Sequence, residues 1–475
     1  MYLRNLTKIK TYVVLLAAGM LLAVMMTGCG VWDELLRVSY EIPEETMQEA
    51  ENPVQTDKEE FAAEAASGPV ISEILPEDEE EPEEVREIAQ TGEAEELPPD
   101  EEAGMETEEE TEADGEEEIE VTTQESGNDA EYVAFSDLKA WAEDPSTGLY
   151  YGYDVISEEY RTVYIDILET LLYGREETQL GTLSKDAVST VFYCVLMDHP
   201  ELFYVTGYVH MITTMDDVPV KLEFSGSYSM SLQEAESLQK QVDEEVERIL
   251  SGMEDGMSTY EKEKYLFDYI VLNTDYSMAA ENNQNYLSVF LNQVSVCQGY
   301  SRAFQYLLQR CGIPCTLVTG TADGESHAWN LVKADGKYYY VDVTWGDACF
   351  RDGQASGAYA DFVNYTYFNS TTAQILTEHT IDEKVPFPEC TSVSLNYFVK
   401  EGLYLENFDA QRIDAILKDC YESSESRTIR CADASVYNEL YDYMITQAHL
   451  TTYATPGERV YYLDNPTALC FTILL

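Results

Sequence analysis

The chain is poor in basic residues: 27 Lys and Arg stand against 91 Asp and Glu, a formal net charge of −64. Binding to nucleic acid needs a basic face to meet phosphate, so this scarcity excludes a nucleic-acid partner. No Cys-x2-Cys pair and no His-x3-His spacing occurs, which removes the usual grounds for a structural zinc site. Internal repeats are lacking too. Long apolar runs are missing apart from Thr11 to Met26 near the N-terminus, which is short for a membrane-spanning helix of about 20 residues.

That run has the marks of an export signal. Arg4, Lys8 and Lys10 precede it, and it ends in Met26-Thr27-Gly28-Cys29, small residues before a cleavage point. The ending resembles a bacterial lipobox, which implies a signal peptide over 1–28 and lipidation of Cys29. The body of the chain is then expected on the extracellular face of the cell membrane, held by its lipid anchor.

The negative charge is unevenly spread. From Glu41 to Ala130 there are 36 Asp and Glu against only Lys58 and Arg86, a net −34. Such a segment cannot bury enough apolar surface to offset its ordering entropy, so residues 29–130 are expected to form an acidic disordered tether. As an ideal coil, about 90 residues span roughly 50 Å, and self-repulsion extends them further. From Glu131 onward the net charge is −32, with 53 acidic and 21 basic residues. This part is rich in Tyr, Leu, Val and Ile and long enough for one or two cores. Apart from Cys29 and Cys297, eight cysteines remain, with no spacing of a small disulfide scaffold; a Cys311–Cys315 bridge is left open.

Periodicity predicts an α-rich lead-in over 131–256. Helices are expected around Tyr164–Leu172 and from Ser184 to Met197, with short strands at Leu202–Val209, Met211–Thr214 and Val218–Tyr228. Ser231 with Glu234, and Ser258 with Glu261, read as capping boxes opening two further helices. A core over 257–384 follows. Its helix starts at Cys297 and stops at Cys311-Gly312. Strands are expected at Cys315–Thr321, His327–Val332 and Lys337–Trp345, the last two joined by an Asp335-Gly336 hairpin. Residues 385–475 read as a small α/β segment: extended at Ser394–Val399 and Tyr404, helical at Ala410–Tyr421 and Ser435–Gln447, closing with strands at Val460–Leu463 and Leu469–Leu475.

The chemistry concentrates in the core. Cys297 opens a helix, where the N-terminal dipole favours a thiolate. His327 could protonate a leaving group, and Asp342 could fix its tautomer. Counting back from the Asp335-Gly336 turn, position 327 faces roughly 344, which leaves Asp342 within diagonal reach. Gly299 in the first helical turn costs about 1 kcal/mol in propensity and so suggests close backbone approach. Trp329 and Trp345 read as shielding aromatics. A Cys297 backbone N–H is an expected oxyanion donor, with Asn292 and Gln293 as weak candidates for a second.

The segments VCQGYSRAFQYLLQRCGIPC, SHAWNLV and GKYYYVDVTWGD resemble the core of the transglutaminase-like superfamily in its bacterial, extracellular branch. The likeness covers Met257 to Asp347 and extends weakly to HPELFYV at 199–205. It implies an α+β fold with a papain-like transglutaminase core, with Cys297 as nucleophile, His327 as general base and acid, and Asp342 as the orienting residue. It also implies a cysteine acyltransferase or cysteine peptidase that needs no cofactor and no metal. A protein or peptide substrate is expected, cell-wall peptide among the candidates. Gln298 stands where the animal enzymes have Trp, which argues against protein cross-linking as such. The alternative is a non-catalytic cell-surface binding module retaining the fold, its 36 tyrosines supplying contact surface.

Overall fold

The computed structural model describes residues 135–215, 218–279, 281–347, 362–454 and 459–475, together with the backbone of the two-residue strand β1 (Tyr40–Glu41). All belong to one compact unit. The expected signal peptide, Cys29 and the acidic tether lie outside the described residues, apart from β1. Among the described residues no helix is long and apolar enough to cross a membrane.

The lead-in opens with four helices, α1 (Phe135–Glu143), α2 (Tyr151–Val155), α3 (Glu158–Tyr173) and α4 (Lys185–Asp198). Ser184 caps α4 by accepting the Ala187 N–H at 3.2 Å. Beside them lies a three-stranded sheet of β2 (Thr178–Gln179), β4 (Val218–Tyr228) and β3 (Val205–Met215), in that order. One strand of eleven residues, β3, thus replaces the two short ones expected at Leu202–Val209 and Met211–Thr214, while β4 has the expected bounds. No turn residue stands at His210 to break β3, and register shifts at Val205/Gly207 and Thr213/Thr214 absorb the irregularity instead.

Helices α5 (Leu232–Leu250) and α6 (Thr259–Asn273) each open with a complete capping box. In each, the serine takes the N3 amide while the glutamate takes the serine N–H, so two orphan donors are satisfied. Two short parallel strands, β5 (Asp275–Tyr276) and β6 (Val294–Ser295), then lead into α7 (Cys297–Arg310). Ala303, Phe304, Leu307 and Leu308 of α7 are wholly buried with Val332, Tyr339 and Val341 of the sheet behind it. Each large apolar side chain so buried contributes about 1.5–3 kcal/mol.

That sheet contains β7 (Cys315–Ala322), β8 (Glu325–Ala334), β9 (Lys337–Val341) and β10 (His379–Ile381), in the order β10-β7-β8-β9. Asp335 and Gly336 both take positive φ, 49° and 74°, as a two-residue hairpin requires. The ladder pairs Asn330 with Val341 and, if continued, would place 327 against 344, matching the register read from the turn. It does not continue. The expected strand Lys337–Trp345 ends at Val341, because Asp342 Oδ1 accepts the Trp345 N–H at 3.1 Å and the Asp347 N–H closes onto Thr344 O at 3.0 Å. Asp342 is therefore a turn-forming residue at the strand end, not a strand residue.

Helices α8 (Thr372–Ile375) and α9 (Tyr397–Lys400) follow. The second lies where extended chain was expected at Ser394–Val399. It buries the consecutive Tyr397 and Phe398, and the Lys400 N–H closes onto Asn396 O. The last part has α10 (Ala410–Ser423) and α11 (Ala434–Tyr441), with β11 (Tyr404–Leu405), β12 (Arg427–Cys431), β13 (Arg459–Asn465) and β14 (Cys470–Leu474). With β1 these form a sheet ordered β1-β13-β14-β12-β11 around an apolar cluster of its own that includes Leu417, Ile429, Leu440, Phe471 and Ile473. The described cysteines are free thiols, Cys311 and Cys315 included.

Candidate active site

Cys297 is the first residue of α7 and is half-buried, packed against the lead-in. Its N–H is one of the donors that a helix start leaves without an intrahelical partner. A Cβ on Gly299 would stand 1.9 Å from Ser295 Oγ and 2.8 Å from Asn283 O, so the first turn of α7 requires glycine. One turn on, Ser301 Oγ lies 2.9 Å from both Cys297 O and Ala328 O, and Asn330 Nδ2 donates to Ser301 O at 3.0 Å. These bonds fix the start of the helix against β8, the strand that carries His327. Behind it, Gln305 and Gln309 donate to Met197 O and Asp198 O, which clamps the lead-in onto α7.

His327 Nε2 lies 2.8 Å from Asp342 Oδ2, and the Cys297 side chain beside the same imidazole also favours its charged form. The structure thus brings together Cys297, His327 and Asp342. Asp342 has no exposed side-chain surface and His327 only 9%. A second histidine is there as well. His379 Nε2 lies 2.9 Å from the same Oδ2, with its Nδ1 3.2 Å from Ile375 O. Trp329 and Trp345 enclose both imidazoles, with ring centroids 5.9 and 6.1 Å from His327 and 5.0 and 4.8 Å from His379.

Burial alone would raise the Asp342 carboxyl, but the charge and hydrogen bond of His327, then those of His379, hold it well below the usual carboxylate range. Burial works against a charged His327; the Asp342 carboxylate and its hydrogen bond, then Cys297, outweigh it and raise the imidazole to about 10. The site therefore favours an imidazolium beside the thiol. Burial pushes the thiols away from the site up, Cys311 to about 11 and Cys194, Cys390, Cys420 and Cys431 to about 12.

His327, Asp342 and His379 also offer three donor atoms within 4.8 Å of one another, the spacing of a metal site. Their orientation is different. Each imidazole nitrogen is aimed at Oδ2 itself and forms a hydrogen bond with it, so the three do not converge on a shared vacant point.

Two residues escape the sequence reading. His379 arrives on β10, which pairs with β7 in the register Ile381↔Gly320. A Cβ on Gly320 would meet Thr380 O at 1.8 Å, so glycine opposite His327 admits this strand. The signal was that lone glycine within a β-branched strand. Tyr276, on β5, is the other: its hydroxyl lies beside the Cys297 backbone at the start of α7. Asn292, the last residue of a π-helical turn (Ser288–Asn292), and Gln293 just after it are exposed.

Residues 247–343 match the family model described as the transglutaminase-like superfamily, a span that contains Cys297, His327 and Asp342. The human protein named kyphoscoliosis peptidase is 23% identical over 149 residues, which are 28% of this chain and 22% of that protein. Its mouse counterpart is 22% identical over the same length. The chain thus spans about a fifth of the length of these curated relatives. Among solved structures, one described as a TGase is 16% identical, covers 32% of this chain and 48% of its own, and has a TM-score of 0.23. The periplasmic domain of TgpA from Pseudomonas aeruginosa is 14% identical over 29% of this chain and 58% of its own, with a TM-score of 0.18. The family model, and not these superpositions, carries the assignment. Residues 247–343 thus form a transglutaminase-like domain.

Proposed function

We propose that the chain is a thiol acyl-transfer enzyme acting on peptide or side-chain amides. The observation that carries this reading is His327 held between the Cys297 thiol and the Asp342 carboxylate. The Cys297 thiolate attacks the amide carbonyl carbon, and the resulting oxyanion is met by the Cys297 N–H, with the Tyr276 hydroxyl alongside as second donor. As the C–N bond breaks, the His327 imidazolium gives its proton to the departing nitrogen and a thioester forms. His327, now neutral, takes a proton from the incoming water or amine, which attacks the thioester and releases Cys297. Water gives a peptidase or amidase; an amine gives transamidation.

Consistent with the export signal and lipobox-like Cys29, we place this activity at the extracellular face of a membrane, with protein or cell-wall peptide as substrate. The test is to incubate the full chain with a library of peptide amides, with and without a primary amine, and search by mass spectrometry for an acyl adduct on Cys297. An adduct that decays to acid in water and to amide with amine supports the reading. Turnover undiminished by Cys297→Ala would overturn it, and binding without adduct or turnover would favour a binding module.

A further inference from the structure

The second imidazole on Asp342 is a built feature. His379 is wholly buried, 0% of its side chain being exposed, and both ring nitrogens face acceptors. Nδ1 lies 3.2 Å from the carbonyl oxygen of Ile375, which can only accept. Nε2 lies 2.9 Å from Asp342 Oδ2, which as a carboxylate also only accepts. A neutral ring would turn a bare lone pair on one of these oxygens in a place closed to water. With both nitrogens protonated, each contact is a hydrogen bond. Asp342 then receives three donors: His327 and His379 on Oδ2 and the Trp345 N–H on Oδ1.

We propose that His379, protonated on both ring nitrogens, is a positioning residue that locks the Asp342 carboxylate in the one orientation that turns His327 toward Cys297. This rests on the acyl-transfer reading above and deepens it. Two donors on one oxygen prevent the carboxylate from rotating about its terminal bond. His327 then keeps its Nε2 on Asp342 and presents the opposite nitrogen to the thiol. The second positive charge keeps the buried cluster from being a lone carboxylate–imidazole pair, and so supports a thiolate at low pH. The titratable groups facing the His379 ring are Asp342, His327 at 5.6 Å between centroids, and Tyr367 at 4.9 Å, whose hydroxyl is turned to Glu378. Neither tryptophan against it carries a charge.

The test compares the full chain with His379→Gln, which keeps a donor but not the charge, and His379→Ala, which keeps neither. Two readouts are taken. The first is the 15N shifts of the His379 ring, identified by their loss in His379→Gln. Across the pH range of the alkylation assay both nitrogens are expected to carry a proton, each facing an acceptor. One bare nitrogen across that range overturns the proposal. The second is the pH profile of Cys297 alkylation. His379→Ala is expected to slow it roughly 10–100-fold at low pH, the scale of loss when a partner orienting a metal-ligating residue is removed, with His379→Gln in between and all three converging at high pH. Variants that melt earlier but keep the wild-type profile would make His379 merely structural and also overturn it. If wild-type Cys297 reacts no faster than Cys311, the acyl-transfer reading fails, while the 15N shifts still decide the protonation of His379.

Discussion

At the end of β9, Asp342 receives two imidazoles and one backbone N–H; at the end of α4, Asp198 receives the N–H groups of Gly152 and Tyr153 at 2.8 and 2.9 Å, the Tyr164 hydroxyl at 2.9 Å and the Thr316 hydroxyl at 3.3 Å. A histidine, His199, lies beside Asp198 too, but its Nε2 meets the Tyr164 oxygen at 2.8 Å and not the carboxylate. Both clusters are buried, and both set a His beside an Asp. Their charges run in opposite directions. Asp342 is held well below the carboxylate range and His327 rises to about 10. Burial pushes Asp198 up to about 6 despite its four donors, and pushes His199 down to about 3. Fixed dipoles can satisfy a buried carboxylate without linking it to a movable proton; imidazoles create that link. The Asp198 cluster fastens the lead-in to α7, and the Asp342 cluster is equipped for chemistry.

The sharpest way to break this contrast is at the nucleophile. Cys297→Ala should lower turnover by a factor on the order of 10^6, as removal of a covalent nucleophile does, with substrate binding retained in an equilibrium assay. Paired amide substitutions come next. Asp342→Asn should reduce turnover by about 10^4 through the wrong histidine tautomer. Asp198→Asn should leave turnover within a few-fold but reduce stability by about 1–3 kcal/mol, since its amide meets donors. Steady-state rates and urea unfolding on both variants separate the two roles.

Titration of stability provides the third comparison. His327 has a folded pKa above its unfolded value of about 6.5, so its contribution is fully present below that pH and is lost as pH rises toward about 10. Its share of the slope is at most about 1.4 kcal/mol per pH unit, and it should vanish in His327→Ala. His199 has the opposite sign: its folded pKa is depressed, so stability falls as pH drops from about 6.5 toward about 3, and His199→Phe should flatten that limb. Urea midpoints across pH check both. The smallest effect is expected at Ser301→Ala, about 1 kcal/mol for a lost hydrogen bond, with a modest rate loss if it fixes Cys297 against β8.

What the sequence made legible follows contiguity. The capping boxes at Ser231 and Ser258, the α7 boundaries and the β8–β9 register are all local signals, and each could be read from residues within a few positions. Gly299 showed the close approach because a missing side chain in a helix is itself a local anomaly. His379 and Tyr276 were not legible, because each reaches the site on a strand whose pairing is set by tertiary packing. The end of β9 was misread for a related reason: Val343 and Trp345 continue the apolar alternation, yet the Asp342 side chain diverts the backbone into a turn. The helical turn at Tyr397 likewise answers to packing, its ring lying 3.8 Å from that of Tyr365.

The central claim is that Cys297 is activated by His327, and it is tested most directly by the pH dependence of alkylation, resolved by mass spectrometry on the full chain. Cys311 and Cys315 serve as internal references, and His327→Ala as the control. The account predicts fast labelling of Cys297 well below pH 8, slowed by the histidine substitution, while the reference thiols, pushed up by burial, stay unreactive. Labelling of Cys297 that matches the reference thiols, or that is indifferent to His327, would contradict it.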